Sequence, residues 1–158
     1  MHIDVSRFIY IVGATDIACL VGYAPCYIEF SYINIFIIKI DPEGNIVWIK
    51  SLDSDGYNVV NSVIIDSLGY MYLGGATNVR GEWMYLVVKL NPSDDIVWVK
   101  TIYNPKIELP ITLYVDNNNV YVVSPTISQV TQDIYRFEDV LIVKWQENTT
   151  ILRVYRYY

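Results

Sequence analysis

The stretch Ile35-Phe-Ile-Ile-Lys-Ile-Asp-Pro-Glu-Gly-Asn-Ile-Val-Trp-Ile-Lys-Ser-Leu52 recurs as Tyr85-Leu-Val-Val-Lys-Leu-Asn-Pro-Ser-Asp-Asp-Ile-Val-Trp-Val-Lys-Thr-Ile102. The offset is fifty residues throughout, with no gap. Lys39, Pro42, Ile46, Val47, Trp48 and Lys50 are repeated as Lys89, Pro92, Ile96, Val97, Trp98 and Lys100. Each copy reads as a strand, a Pro-containing turn and a second strand. In Asp41-Pro-Glu-Gly-Asn45 the Pro presets φ and the Gly accepts φ > 0, the chemistry of a tight turn. A third copy keeps the spacing from Lys144 to Ile151. Its turn falls at Gln146–Thr150, and alignment puts Arg153 where the Trp stands in the other two.

A second element precedes each hairpin. Ile65 to Thr77 matches Ile3 to Thr15, with Ile, Asp, Tyr, Gly, Ala and Thr identical at corresponding places. Val115 to Thr126 is the third version, one residue shorter at the turn. The element reads as a strand end, an Asp-led turn and a strand. Asp side chains in such turns accept backbone N–H groups, so Asp4, Asp66 and Asp116 are read as structural rather than catalytic.

The full unit is four strands, in the second copy about Val59–Ile65, Tyr70–Gly74, Met84–Leu90 and Ile96–Ile102. Short strands, regular turns and a long period indicate an all-β, β-propeller-like array of three four-stranded antiparallel blades. The chain is one repeat domain, 1–158, with units at about 1–52, 57–102 and 107–158. Before Asp4 stands only Met1-His2-Ile3, so the first blade is expected to lack most of its innermost strand. Closed propellers have four to eight blades. Three readings follow: a fragment of a longer propeller, an arc that completes a ring with a second copy, or a curved stand-alone stack.

Gly56 to Ile102 resembles the short β-propeller repeat family of bacteria and archaea. Asp66, Gly69, Tyr72, Gly75 and Thr77 carry the resemblance, followed by Val88-Lys89-Leu90-Asn91-Pro92. The third copy departs from it at Ser124-Pro125-Thr126 and lacks the Trp. The resemblance implies a propeller fold with turn and packing residues in common, and an extracellular or cell-surface setting. It supplies no catalytic residue.

Composition agrees with a folded β domain. The 158 residues are 53% hydrophobic and 15% aromatic, with only 18% charged, too apolar for disorder. A net charge of −6 without a Lys/Arg cluster disfavours nucleic acid and anionic lipid as partners. High Ile and Tyr content with three Gln points toward a thermophilic source. The apolar run from Phe8 to Ile28 contains Gly13, Gly22 and Pro25, and its first half repeats a later strand. It is therefore read as neither signal peptide nor membrane span.

Residues able to carry chemistry are few. His2 is the only histidine, which disfavours a His-based metal site or dyad. Cys19 and Cys26 fit no CxxC motif; they are compatible with a disulfide or with two buried thiols. Asn148-Thr149-Thr150 is a sequon with meaning only in an exported protein. Trp48 and Trp98 are read as packing between blades, against a carbohydrate-stacking role that needs exposure. Lys39, Lys89 and Lys144, like Lys50 and Lys100, are read as blade-edge lysines with packed stems and ammonium groups in water. Asp16, Asp53, Asp55, Glu82, Asp133, Glu138 and Asp139 are placed in loops or turns. Asp53-Ser-Asp55-Gly56 resembles the start of a calcium loop, but its twelfth position is Ile64 instead of Glu.

No catalytic, cofactor or metal residue is therefore assigned. The functional expectation is a non-enzymatic binding or assembly module, by resemblance of a surface or extracellular protein. Its partners would be further propeller blades, a second copy, a glycan or a protein. The alternatives are a fragment of a propeller enzyme acting on glycans, or a truncated gene product without independent function. Copies differ most between their second and third strands, with insertions at about Asp16–Asn34 and Ser128–Glu138. Such insertions collect on one face of a repeat protein, often the binding face.

Overall fold

The Ile, Val, Tyr and Trp runs form strands because branched and aromatic side chains fit a pleated surface buried on one or both sides. A computed structural model describes residues 1–15, 33–52, 56–79, 81–103, 112–116, 119–131, 134–146 and 149–156. They form twelve strands in three antiparallel sheets. The first sheet has the order β1 (His2–Ile3), β2 (Ile9–Thr15), β3 (Asn34–Ile40) and β4 (Ile46–Leu52). The second has β5 (Tyr57–Ile65), β6 (Met71–Val79), β7 (Glu82–Leu90) and β8 (Ile96–Tyr103). The third has β9 (Thr112–Asp116), β10 (Asn119–Thr131), β11 (Ile134–Gln146) and β12 (Thr149–Arg156). No helix among the described residues is long and apolar enough to cross a membrane. The chain is all-β with antiparallel sheets.

Several sequence expectations shift. In the second sheet all four strands run longer than expected, β6 reaching Val79 and β7 starting at Glu82. Of the segment Ser128–Glu138, the described residues 128–131 and 134–138 are strand and not loop. They continue the β10–β11 pairing, with Gln129 opposite Arg136 and Thr131 opposite Ile134. Glu82, Glu138 and Asp139 accordingly lie in strands. Ile151, not Arg153, stands opposite Lys144, the place held by Trp48 against Lys39 and Trp98 against Lys89. The first two hairpins carry an irregularity after the lysine that shifts the partner strand, whereas the third closes directly with Gln146 opposite Thr149.

The turns are built from the repeated polar residues. Asp41 N–H donates to Asn45 O at 2.9 Å and Gly44 N–H to Asp41 O at 3.0 Å. Asn91 and Asp95, with Asp94, make the same pair at 2.9 and 2.8 Å. The left-handed position is Gly44 at φ 91° in one copy and Asp94 at φ 66° in the other. The Asp-led turns show the reverse pairing, with Gly69 at φ 84° and Arg7 at φ 66°. A side chain with a Cβ strains this region, and an Arg has no short polar group to relieve it.

The second sheet is the centre of the molecule. Along β6 every residue from Met71 to Thr77 is buried, because alternate side chains meet different neighbours. Leu73, Leu86, Val88 and Leu90 pack with Tyr10, Ile35 and Ile37 of the first sheet. Tyr72, Ala76, Tyr85 and Val87 pack with Leu113, Val120 and Val122 of the third. Each fully buried aliphatic side chain contributes about 1.5–3 kcal/mol. A Cβ on Gly74 would lie 2.6 Å from Leu113 Cγ, so only glycine lets Leu113 seat there.

Both faces of β5 are used through an irregularity between Val60 and Ser62. It lets Val60 and Val63 join the same cluster, although an odd spacing would otherwise send them to opposite faces. Polar ties cross the same junctions. Asn58, buried, donates from Nδ2 to Ile33 O at 3.0 Å. Tyr85 donates its hydroxyl proton to Ser124 Oγ at 3.2 Å. Leu113 N–H donates to Ser62 Oγ at 3.3 Å.

Replacing Arg7 by Gly should raise stability by about 0.5–1 kcal/mol in chemical denaturation, since the strained φ is relieved. Gly69→Ala at the corresponding place should lower it by about 1 kcal/mol. An Arg7→Gly variant no more stable than the parent would show that the turn carries no strain.

Candidate functional site

The Asp-led turns order a cross-strand row that is nearly identical in the first two sheets. Asp4 Oδ1 accepts the N–H groups of Ser6 and Phe8, both at 2.9 Å, and Oδ2 accepts the Tyr10 hydroxyl at 3.2 Å. Asp66 accepts the N–H groups of Leu68 and Tyr70 at 2.9 Å and the Tyr72 hydroxyl at 3.2 Å. Register then places Tyr10 beside Lys39 and Lys39 beside Trp48. Tyr72, Lys89 and Trp98 repeat the row. The Tyr and Trp rings meet edge-on, 6.4 Å apart in the first sheet and 6.3 Å in the second. In the third sheet Tyr121 pairs with Lys144, whose Nζ lies 5.6 Å from the ring centre.

The lysines are not blade-edge residues with hydrated ammonium groups throughout. Lys89 is only 6% exposed. Its Nζ lies 4.3 Å from the Tyr70 ring centre and 5.3 Å from Tyr72. Lys39 Nζ lies 4.7 Å from Phe8 and 5.3 Å from Tyr10. The aromatic faces take over the role of water by attracting the cation. Lys50 and Lys100 approach Trp48 and Trp98 at 5.4 and 5.1 Å, and Lys50 also donates to Asp94 O at 2.9 Å.

Between the first and second sheets, at the end formed by these turns, lies a cleft of about 420 Å³. Asp4, Ser6, Phe8 and Tyr10 form one wall with Lys39; Asp66, Ser67, Pro92 and Asp94 form the other. His2 reaches its rim, where partial burial lowers its pKa against the opposing pull of Asp4. Burial, then the charge of Asp4 and its hydrogen bond, push the Tyr10 phenol far above its ordinary value. Tyr10 therefore stays a neutral hydroxyl. A second cleft of about 320 Å³ lies between the second and third sheets and is lined by Asp66, Ser67, Val115 and Asp116 among others. Turn residues of successive sheets thus frame successive clefts. Among the described residues no group of three or more His, Cys, Asp and Glu gathers as a metal site.

Trp48 and Trp98 pack against the cores, and Trp98 Nε1 is buried without a hydrogen-bond partner. Neither forms an open stacking platform. Two aromatic pairs face solvent instead: Tyr57 with Trp83, rings 5.6 Å apart and Trp83 37% exposed, and Tyr114 with Tyr121, rings 6.0 Å apart and Tyr114 61% exposed. Asp16, Cys19, Cys26, Asp53, Asp55, Asp133 and Asn148 lie outside the described residues. Ser6, Phe8, Ser67 and Asp94 were not singled out from sequence. Their only signal was membership of the repeated turns. No protein-family model matches this chain, and no curated protein is similar to it.

Removing the Asp66 carboxylate leaves Leu68 N–H and Tyr70 N–H without their acceptor. Asp66→Ala should therefore lower stability by about 1–3 kcal/mol in urea unfolding, and unchanged stability would remove Asp66 from its structural role. The exposed Asp41 carboxyl is held below the usual carboxylate range by the Asn45 side-chain amide, then by the Asn45 backbone N–H at 2.7 Å. A depressed folded pKa gives stability that is present above the unfolded value and lost as pH falls through the folded one. Asn91 holds the corresponding place without a charge. Thermal melts of Asp41→Asn should accordingly show a shallower loss of Tm between about pH 5 and pH 2 than the parent. Superimposable pH profiles would show that Asp41 contributes nothing.

Proposed function

We propose that this chain is a non-enzymatic binding and assembly module, its three sheets acting as blades of a β-propeller-like array. The observation that carries this reading is the cleft between the first two sheets. Its walls come from turns of two successive units, and it mixes hydroxyls, carboxylates, one ammonium and aromatic ring edges. The carboxylates of Asp4 and Asp66 are already engaged by backbone N–H groups. They orient the walls and leave Ser6, Ser67 and Lys39 to meet a ligand. Such a lining suits a polar, uncharged ligand with many hydroxyls, such as a glycan segment. The resemblance to short β-propeller repeats supports the blade assignment and a surface or extracellular setting.

The test is titration calorimetry of the whole chain against soluble oligosaccharides, with a reducing-end assay on the same mixtures. Saturable binding without new reducing ends is expected. Ser67→Tyr, which fills the cleft from an exposed position, should weaken binding at least tenfold, or about 1.4 kcal/mol. New reducing ends would overturn the non-enzymatic reading in favour of a glycan-cleaving propeller fragment. Binding indifferent to Ser67→Tyr would remove the cleft as the site.

A further inference from the structure

The three sheets stack in one repeating sense. The face of the first sheet that carries Tyr10 and Ile37 packs on the aliphatic face of the second. The corresponding face of the second, with Tyr72 and Val87, packs on the aliphatic face of the third. Two faces remain, one at each end of the stack, and they are of opposite kinds.

The outer face of the first sheet is defined by register. Ile9 stands opposite Ile40, and Ile11 opposite Ile38, while their neighbours Tyr10 and Ile37 point to the second sheet. These four isoleucines correspond to Met71, Leu90, Leu73 and Val88 by sequence and by pairing. In the second sheet that quartet is at most 3% exposed, because the first sheet covers it. In the first sheet all four are only half-buried, and Ile49, opposite Ile38, is 39% exposed. The outer face of the third sheet carries Tyr121 with Lys144, and Val123 with Ile142. Tyr72, Lys89 and Val87 are the corresponding, buried residues of the second sheet, yet Tyr121, Lys144 and Ile142 are half-buried, and Tyr114 beside Tyr121 is 61% exposed. Among the described residues neither outer face is covered by a sheet.

We infer that a second copy of this chain covers both faces. The Tyr121 face of one copy seats on the Ile38 face of the other, and the reverse contact closes the assembly. Three arguments select this occupant. Both halves of the contact are present on one chain, so copies are complementary head to tail. The contact continues the two junctions already inside the chain, with the same residue types on each side. Closed propellers contain four to eight blades, and with three sheets per chain only two copies fall within that range. Apolar sheet faces left open are otherwise exposed to non-specific association. The inference rests on the proposed reading of the sheets as propeller blades and on their stacking order, and is independent of any ligand in the cleft.

The experiment is light scattering after size exclusion on the whole chain over a hundredfold range of concentration, together with two single variants. Ile38→Lys alters the first outer face and Ile142→Glu the last. A mass twice the 18.3 kDa of one chain is expected, falling to one chain in each variant. Circular dichroism showing retained strand content in the variants separates lost assembly from lost folding. If Ile142→Glu unfolds, Tyr114→Lys at the exposed edge of the last face replaces it, and if Ile38→Lys unfolds, Ile49→Lys on the first outer face replaces it, each with the same expectation. A parent chain that stays monomeric throughout overturns the inference, as does a mass growing with concentration beyond two chains. Loss of the dimer in only one of the two face variants overturns it as well, since it would mean like faces meeting. A monomer that still binds oligosaccharide leaves the functional reading intact while removing the second copy.

Discussion

The structure depends on one kind of contact, an aromatic-and-lysine face of one sheet laid on an aliphatic face of the next. The second sheet shows why. It is the sheet with a neighbour on both sides, and Met71 through Thr77 are buried without exception. Burial on alternate faces ties the three sheets into a series in which the middle member belongs to two cores at once. Loss of packing at either junction exposes one of its faces, so the stability of each junction is coupled to the other.

Polar chemistry decides where those faces end. A carboxylate that accepts two backbone N–H groups holds the Asp4 and Asp66 turns in a single geometry, and its second oxygen reaches the Tyr that begins the cross-strand row. The same side chains thus close a turn, orient an aromatic ring and bring a lysine over that ring. Buried Lys89 is tolerated because two aromatic faces lie within reach of its ammonium. The clefts between sheets are a consequence of this arrangement. Turns of successive units must diverge from the packed faces, and their hydroxyls and charges line the space that is left.

Parts of this were legible beforehand. The fifty-residue offset, the Pro- and Gly-containing turns and the alternation of Ile and Val marked the strands and their order. Asp4 and Asp66 were recognisable as turn residues because Asp three places before a left-handed position accepts local N–H groups. Other features were hidden. The length of the β10–β11 hairpin was hidden because nothing in Ser128–Glu138 distinguishes a loop from paired strands by composition. The placement of Ile151 opposite Lys144 was hidden because it depends on an irregularity in the other two hairpins, and spacing along one chain does not reveal which strand is bulged. The depth of Lys89 was hidden because a strand lysine is ordinarily solvated, and the rings that shelter it come from other strands.

The amino-acid sequence by itself determined the strands, the turns and their fourfold grouping, because each rests on local preferences and on patterns a few residues long. It also determined which face of each strand is apolar, since side chains alternate with period two. Only the tertiary structure decided which of those faces meet, which turn residues share a cleft, and which two faces stay open. Ile38 and Val88 are near-equivalent in sequence, yet one is half-exposed and the other buried. The difference lies in whether another sheet lies against them, a long-range property that no local pattern records.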